Sequence, residues 1–168
     1  CGGGGGSSNL AGESCGATAC GSAVITITDA PGDFLSYTVD IVSLQLQRDD
    51  GTVVETLPVA ATVDFARLVD LTEVISARQI PPGKYVAGSV TLDYASASRN
   101  IVVDDGSASG LVVNPVDGSG AALGSVVMQV QLDSGRPLVI TARTAAHLAF
   151  DFYLLASNTV DTAAGTVT

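Results

Sequence analysis

The stretch that decides the fold is residues 37–54, which read YTVDIVSLQLQRDDGTVV. Apolar and polar residues alternate through its first eleven positions, which is the period of a β-strand with one buried face. The apolar positions change parity between Ile41 and Val42, and this indicates a β-bulge. Asp49-Asp50-Gly51 then has the composition of a hairpin turn, so residues 52–54 are predicted to begin a second strand.

The same alternation recurs along the chain on both sides of this hairpin. Further strands are predicted at residues 23–28, 85–94, 101–103, 111–113, 126–132, 138–142 and 148–154. Residues 68–78 alone show helical spacing, at Leu68, Leu71, Val74 and Ile75, so one short helix is expected there. Many short strands with Gly-rich turns are typical of a sandwich, and residues 23–168 are therefore predicted to form an all-β sandwich domain.

Composition narrows the class of protein. The chain has 168 residues, enough for one domain and a tail, and 46% of them are hydrophobic against 14% charged, which disordered chains do not show. The formal net charge is −10, from 17 acidic and 7 basic residues. Such a surface repels nucleic acid and anionic lipid head groups, so no nucleic-acid partner is expected.

The N-terminal segment is rich in glycine and serine. Cys1 comes first, and five glycines, two serines and Asn9 follow it. Cleavage before a lipidated cysteine leaves such a start, with an arbitrary boundary as the alternative. Residues 1–22 are predicted to be a disordered-type tether with a covalent lipid on Cys1. The protein is then expected in the cell envelope, membrane-anchored on the periplasmic or outer-surface side. Many proteobacterial lipoproteins that stay in the inner membrane have Asp at the second position, and Gly2 resembles instead the lipoproteins that are sorted to the outer membrane.

The two remaining cysteines are Cys15 and Cys20, separated by four small residues. Because the envelope is oxidising, a disulfide between them is expected to form a loop at the end of the tether. A zinc site is not expected, since structural zinc requires four ligands and His147 is the only histidine.

Calcium is the small ligand that the sequence favours most. Asp29 and Asp33 flank an Ala-Pro-Gly turn, and Asn114 with Asp117 offers a second set of oxygen ligands. Neither pair has the spacing of a helix-loop-helix calcium site. The alternative role of these side chains is turn formation, because Asp and Asn bond to their own backbone.

No catalytic or nucleotide-binding pattern stands out. His147 and Asp151 are four residues apart, about 13 Å along a strand, which is too far for a triad hydrogen bond. No Gly-x-Ser-x-Gly motif is present, and no Gly-rich loop with a lysine that would hold phosphate. We therefore expect no enzymatic activity, and no cofactor besides the lipid and the calcium candidate.

Several short motifs resemble one family. The first strand runs into Ile27-Thr28-Asp29-Ala30-Pro31, Pro82-Gly83-Lys84-Tyr85 opens another, and Leu148-Ala149-Phe150-Asp151-Phe152 lies near the end. In this order they resemble a family of bacterial lipoproteins known only as a domain of unknown function. The Pro-Gly-x-Tyr motif is also similar to transthyretin-like and immunoglobulin-like surface domains. The resemblance implies a sandwich of that type and no established activity.

Three functions fit these expectations. The first is an accessory or structural subunit, lipid-anchored and docked on a membrane-protein complex. The second is a free surface binding or adhesion module for carbohydrate or calcium. The third is a subunit of a polymer joined by strand exchange at open sheet edges. Dependence on calcium would favour the second, and a missing strand in the sandwich would favour the third.

Overall fold

A computed structural model describes residues 15, 19–29, 32–68 and 73–168, and this part of the chain is an all-β fold. Its strands are β1 (Gly21–Asp29), β2 (Phe34–Arg48), β3 (Val53–Glu55), β4 (Ala61–Asp64), β5 (Glu73–Ile80), β6 (Gly83–Asp93), β7 (Asn100–Val103), β8 (Leu111–Val112), β9 (Asn114–Pro115), β10 (Ser125–Gln131), β11 (Leu138–Ile140), β12 (Ala145–Phe152), β13 (Val160–Asp161) and β14 (Thr166–Val167). Every predicted strand overlaps one of these, but the strand predicted at 148–154 ends at Phe152, and β4, β9, β13 and β14 lie where no strand is predicted.

Two main sheets enclose the core. The smaller has the order β12-β1-β5, with β12 parallel and β5 antiparallel to β1. The larger is built on the long strand β2, which pairs with β3 and β4 in succession along one edge and with β6 and β7 along the other. β10 and β11 pair with the outer edge of β6, and β8 pairs with β7. A small sheet, β13-β14-β9, lies beside them.

Strand β2 shows how the sequence places the core. Val39 and Ile41 are fully buried, the ladder with β6 shifts between Ile41 and Ser43, and Leu44 and Leu46 are then fully buried. Val42, at the shift, is 41% exposed. The predicted bulge is therefore confirmed. It keeps both halves of a 15-residue strand facing the core, and each buried aliphatic side chain contributes about 1.5–3 kcal/mol.

The helix predicted at residues 68–78 is wrong. Glu73–Ile80 is strand β5, and residues 69–72 lie outside the described part. The β1–β5 ladder is irregular at Ile25/Thr26, so Val74 is exposed while Ser76 is buried, and apolar residues lose their simple alternation. The helical turns described are a 3₁₀ turn at Phe65–Arg67, capped by the Asp64 carboxylate, and one turn at Leu154–Ser157.

The chain crosses between the two main sheets four times: after β1, between β4 and β5, between β5 and β6, and between β11 and β12. Buried residues from both sheets therefore share one core, which supports a sandwich. Within the described ranges, no helix has the length and apolar character needed to span a bilayer.

Candidate functional site

The predicted anchor and bridge lie at the N-terminal end. Cys1 and most of the predicted tether fall outside the described residues. The sulfur atoms of Cys15 and Cys20 are in contact, with Cα atoms 5.5 Å apart, which fits the predicted disulfide. The carbonyl of Cys20 accepts a hydrogen bond from the Arg143 amide at 2.8 Å, so this end of the loop is fixed beside β1.

The calcium candidates lie in two places. Asp29 ends β1 and is buried, whereas Asp33 is exposed just before β2. Asp117 Oδ1 accepts bonds from the Ser119 amide, the Ser119 hydroxyl and the Ala121 amide, and these bonds lower the pKa of Asp117. Among the described residues, no three Asp, Glu, His or Cys side chains group as a metal site would require. Calcium binding stays a prediction, and Asp117 closes its own turn.

His147 lies on the outer face of the smaller sheet. Its Nε2 is 2.8 Å from Thr26 Oγ1 on the neighbouring strand β1, where His147 pairs with Val24. It shares the exposed face of β12 with Ala149 and Asp151. This contact joins two adjacent strands.

One side of the sandwich, where β5 faces β3 and β4, is well protected against pairing with other chains. β3 and β4 have only three and four residues, and β5 carries Glu73 and Arg78 and an irregular ladder. The Ser76 hydroxyl donates to the Thr56 carbonyl, which joins the two sheets. Short strands, charges and bulges are the usual devices that keep an edge strand from adding another strand.

The opposite side lacks these devices. β10 has seven residues, none of them charged and none a proline, and it pairs with β6 in an unbroken register. β12 has eight residues in unbroken register with β1, and Asp151 is its one acidic residue. Within the described part of the chain, no strand pairs with the outer edge of either. Both edges therefore have a row of backbone donors and acceptors that no described strand pairs with.

The inward side chains along these two edges are only half covered. On β10 and just after it they are Val126, Met128, Val130 and Leu132, and on β12 they include Ala146, Leu148 and Phe152. The Phe150 ring lies over Gly88, where a Cβ would be 3.6 Å from Cζ, and Gly88 pairs with Val130. The two edges thus face one another across the core. We call this half-covered strip the β10/β12 seam.

A cavity of about 310 Å³ lies at the end of the sandwich where β1 and β12 finish, and we call it the end cavity. Its walls are mainly apolar, and they include Tyr37, Leu92, Tyr94, Val126, Met128 and Phe152. Two ring pairs beside it, Tyr37–Tyr94 and Phe65–Phe152, have centroids 6.4 and 4.7 Å apart. Pro115 of β9 and Val167 of β14 also line it.

A short hydrogen-bond chain supplies the polar atoms of the end cavity. The Tyr37 hydroxyl donates to Asn158 Oδ1 at 3.1 Å, and it lies 3.0 Å from the Tyr94 hydroxyl. Tyr37 and Tyr94 are 2% and 7% exposed. Desolvation raises the pKa of both phenols, so both remain neutral at physiological pH.

Neither the seam nor the end cavity is visible in the sequence pattern. The alternation predicts the strands of the seam, but only the sheet order shows that β10 and β12 are edges. Tyr37, Tyr94 and Asn158 come from three distant segments, so no local spacing links them. Comparison with protein-family models, curated proteins and solved structures finds no match to this chain.

Proposed function

We propose that the chain is a non-enzymatic docking subunit that accepts an extended strand of a partner protein at the β10/β12 seam. The observation that carries this proposal is the contrast between the two sides of the sandwich. One side has short, charged and irregular edges, and the other has two long, regular edges with almost no charge. Natural proteins rarely leave such edges unprotected, because they pair readily with other chains.

An added strand would use both the backbone groups and the half-covered apolar side chains of the seam. Free backbone groups of β10 or β12 supply a hydrogen-bond ladder, and every second side chain of the added strand packs on the half-covered row. Val130 and Leu148 are half-buried now, and an added strand covers them further. Burial of apolar surface is worth about 25 cal/mol per Å², and part of it offsets the entropy of ordering the strand.

The charge of the chain favours a different protein over a second copy. Two copies would each bring a formal charge of −10, and their repulsion opposes self-pairing along the seam. A neutral or basic strand meets no such barrier and gains from the acidic surroundings. Strand exchange between copies is therefore the second candidate, and the open edges are its support.

The location of this docking subunit is part of the proposal. A lipid on Cys1 and the tether would hold the domain at the envelope membrane, beside an integral membrane complex that supplies the strand. The crossings between sheets support a sandwich, and its immunoglobulin-like or transthyretin-like type is part of the proposal. The resemblance to the lipoprotein family stays a prediction, as does binding of carbohydrate or calcium.

Inward-facing lysines on the seam test the proposal. The full chain and its Val130→Lys and Leu148→Lys variants are expressed in the native host and purified from membranes in mild detergent. We expect the parent chain to carry a stoichiometric partner, and the amides of β10 or β12 to exchange more slowly in that complex. The two variants should lose the partner, because an inward charge is itself an edge-blocking device.

Matched controls place the same charge on the outward face of the same strands. Val127, which is 56% exposed, and Ala149 are each replaced by Lys, and these variants should keep the partner. Loss of the partner in all four variants, or a complex whose β10 and β12 amides exchange as in the free chain, contradicts docking at the seam. Dimers or longer polymers of the purified chain would favour strand exchange. Mass spectrometry of the N-terminal peptide tests the lipid separately.

A further inference from the structure

We propose that the end cavity is a binding site for a small, neutral, largely apolar molecule that carries a hydrogen-bond donor. The site adjoins the β10/β12 seam and shares Val126, Met128 and Phe152 with it. Its polar atoms do not belong to the seam, because they come from Tyr37 of β2, from Tyr94 just after β6 and from Asn158 after the helical turn. It does not rest on docking of a partner.

The volume of the end cavity sets the size of the ligand. A dry engineered cavity of about 150 Å³ binds benzene, and natural ligand pockets begin at roughly 300 Å³. At about 310 Å³, the end cavity has room for a molecule of about two fused or linked rings, or an aliphatic chain of similar volume. Aromatic and aliphatic walls with a few polar atoms are what such pockets usually have.

Proton counting along the hydrogen-bond chain sets the polarity of the ligand. A tyrosine hydroxyl has one proton, and that of Tyr37 is donated to Asn158 Oδ1. Tyr94 must then donate its own proton to the Tyr37 oxygen. The lone pairs of Tyr94 Oη accept no donor among the described residues, so this side of the cavity presents an acceptor. A ligand hydroxyl or N–H is the complement of that atom.

The charges near the end cavity exclude anions. Its described lining contains no Lys, Arg or His, and Asp117 has the one carboxyl side chain in it. A bound carboxylate would lose its hydration without gaining a cation, which is unfavourable by several kcal/mol in an apolar site. A fatty acid anion is therefore disfavoured, and a neutral alcohol, phenol or amide is favoured.

Three naphthalene derivatives test the hydrogen-bond donor and the charge of the ligand separately. The full chain is titrated at pH 7 with 1-naphthol, 1-methoxynaphthalene and 1-naphthoate by calorimetry, with NMR to locate the shifts. We expect 1-naphthol to bind with one-to-one saturation, and its methyl ether about three- to tenfold more weakly, because the ether lacks the donor. The naphthoate should bind weakest.

Variants assign the binding to this site. Tyr94→Phe should reduce the affinity for 1-naphthol to that for the ether, and Val126→Phe should weaken both ligands by filling the cavity. Tyr85→Phe is the matched control, since Tyr85 is a fully buried tyrosine of β6 that donates to the Pro81 carbonyl outside the cavity. It should leave both affinities unchanged.

Three outcomes overturn the proposal: no saturable binding, equal affinities for the naphthol and its ether, or binding that Val126→Phe leaves unchanged. If Tyr94→Phe does not fold, the ligand pair and Val126→Phe still decide. Val130→Lys, which blocks the seam but does not touch the cavity, should retain 1-naphthol binding, so failure of one proposal is distinguishable from failure of the other.

Discussion

At the scale of single residues, Tyr37 and Tyr94 couple stability to alkaline pH. Burial raises the pKa of each phenol above the ordinary value of 10.0, so the folded state keeps its protons where the unfolded chain loses them. Their contribution is therefore complete below pH 10 and is lost as pH rises above it. We expect the free energy of unfolding to fall by up to about 1.4 kcal/mol per pH unit for each tyrosine.

Urea unfolding between pH 8 and pH 11.5 measures this slope. Tyr37→Phe should remove one of the two contributions and make the decline shallower, although it lowers the stability at pH 8. An unchanged slope in the variant would show that the phenol of Tyr37 does not limit alkaline stability.

At Gly110, the addition of a single Cβ atom is expected to lower the stability of the fold. Its φ is +67°, and a Cβ there would lie 2.7 Å from Leu35 Cδ1 and 2.7 Å from the Val103 carbonyl oxygen. Gly106, in the same turn region, has a φ of +83° and open space around it. Gly106→Ala should cost about 1 kcal/mol for the left-handed backbone alone, and Gly110→Ala at least twice that because of the added clash. Equal costs in thermal unfolding would contradict the close approach.

At the scale of elements, Glu55 holds β3 against β2 where their pairing ends. Its Oε1 accepts hydrogen bonds from the amides of Leu44 and Leu57 at 2.9 and 3.0 Å, and Oε2 accepts from the Ser43 hydroxyl at 2.6 Å. Glu55→Ala leaves these amides without that partner, so we expect a loss of about 2–3 kcal/mol in urea unfolding.

Two variants make that result specific to the hydrogen bonds. Glu55→Gln keeps an acceptor oxygen and should lose only about 1 kcal/mol. Glu73→Ala removes an exposed glutamate from the start of β5 and should change stability by less than about 0.5 kcal/mol. A Glu55→Ala variant as stable as Glu73→Ala would mean that water replaces the carboxylate.

The strands that the sequence predicts well are those whose periodicity survives in the fold. In β2, the change of parity at Val42 in the sequence marks the bulge in the structure. In β10 and β12, apolar and polar residues alternate strictly because each strand pairs in regular register with one neighbour. The pattern of β5 predicts a helix wrongly, because the irregular ladder buries the polar Ser76 and exposes Val74. The spacing of residues within one segment carries no information about the strand that pairs with it, and that pairing decides which side chains are buried.

The candidate sites depend even more on tertiary structure. Whether a strand is an edge depends on sheet order, and the partners of Tyr37 are 57 and 121 residues away. The aspartates were the more visible signal in the sequence. Asp50, Asp105 and Asp117 accept bonds from backbone amides two residues on, which is the turn role that the sequence offered as the alternative to calcium.

At the scale of the whole molecule, the surface carries far more acid than base. The formal charge is −10, and the ion pairs in the described part of the chain are Arg48–Asp50 and Arg67–Asp64, at 3.7 and 3.8 Å. Exposed pairs of this kind contribute little, so most carboxylates remain uncompensated. Their mutual repulsion opposes the compact state and favours partners that bring positive charge.

Salt should therefore stabilise the folded chain. Raising NaCl from 10 mM to 0.5 M shortens the screening length from about 30 Å to about 4 Å, which removes most of the repulsion between distant carboxylates. We expect a gain of about 1 kcal/mol, or about 3 °C in Tm for a domain of this size. Replacing the exposed Glu73 and Asp151 by Lys adds four charges and brings −10 to −6. Because repulsion scales roughly with the square of net charge, from 100 to 36, the response of Tm to salt should fall to about a third. The same response in both chains would mean that salt acts by strengthening apolar burial, and that the acidic surface does not limit stability.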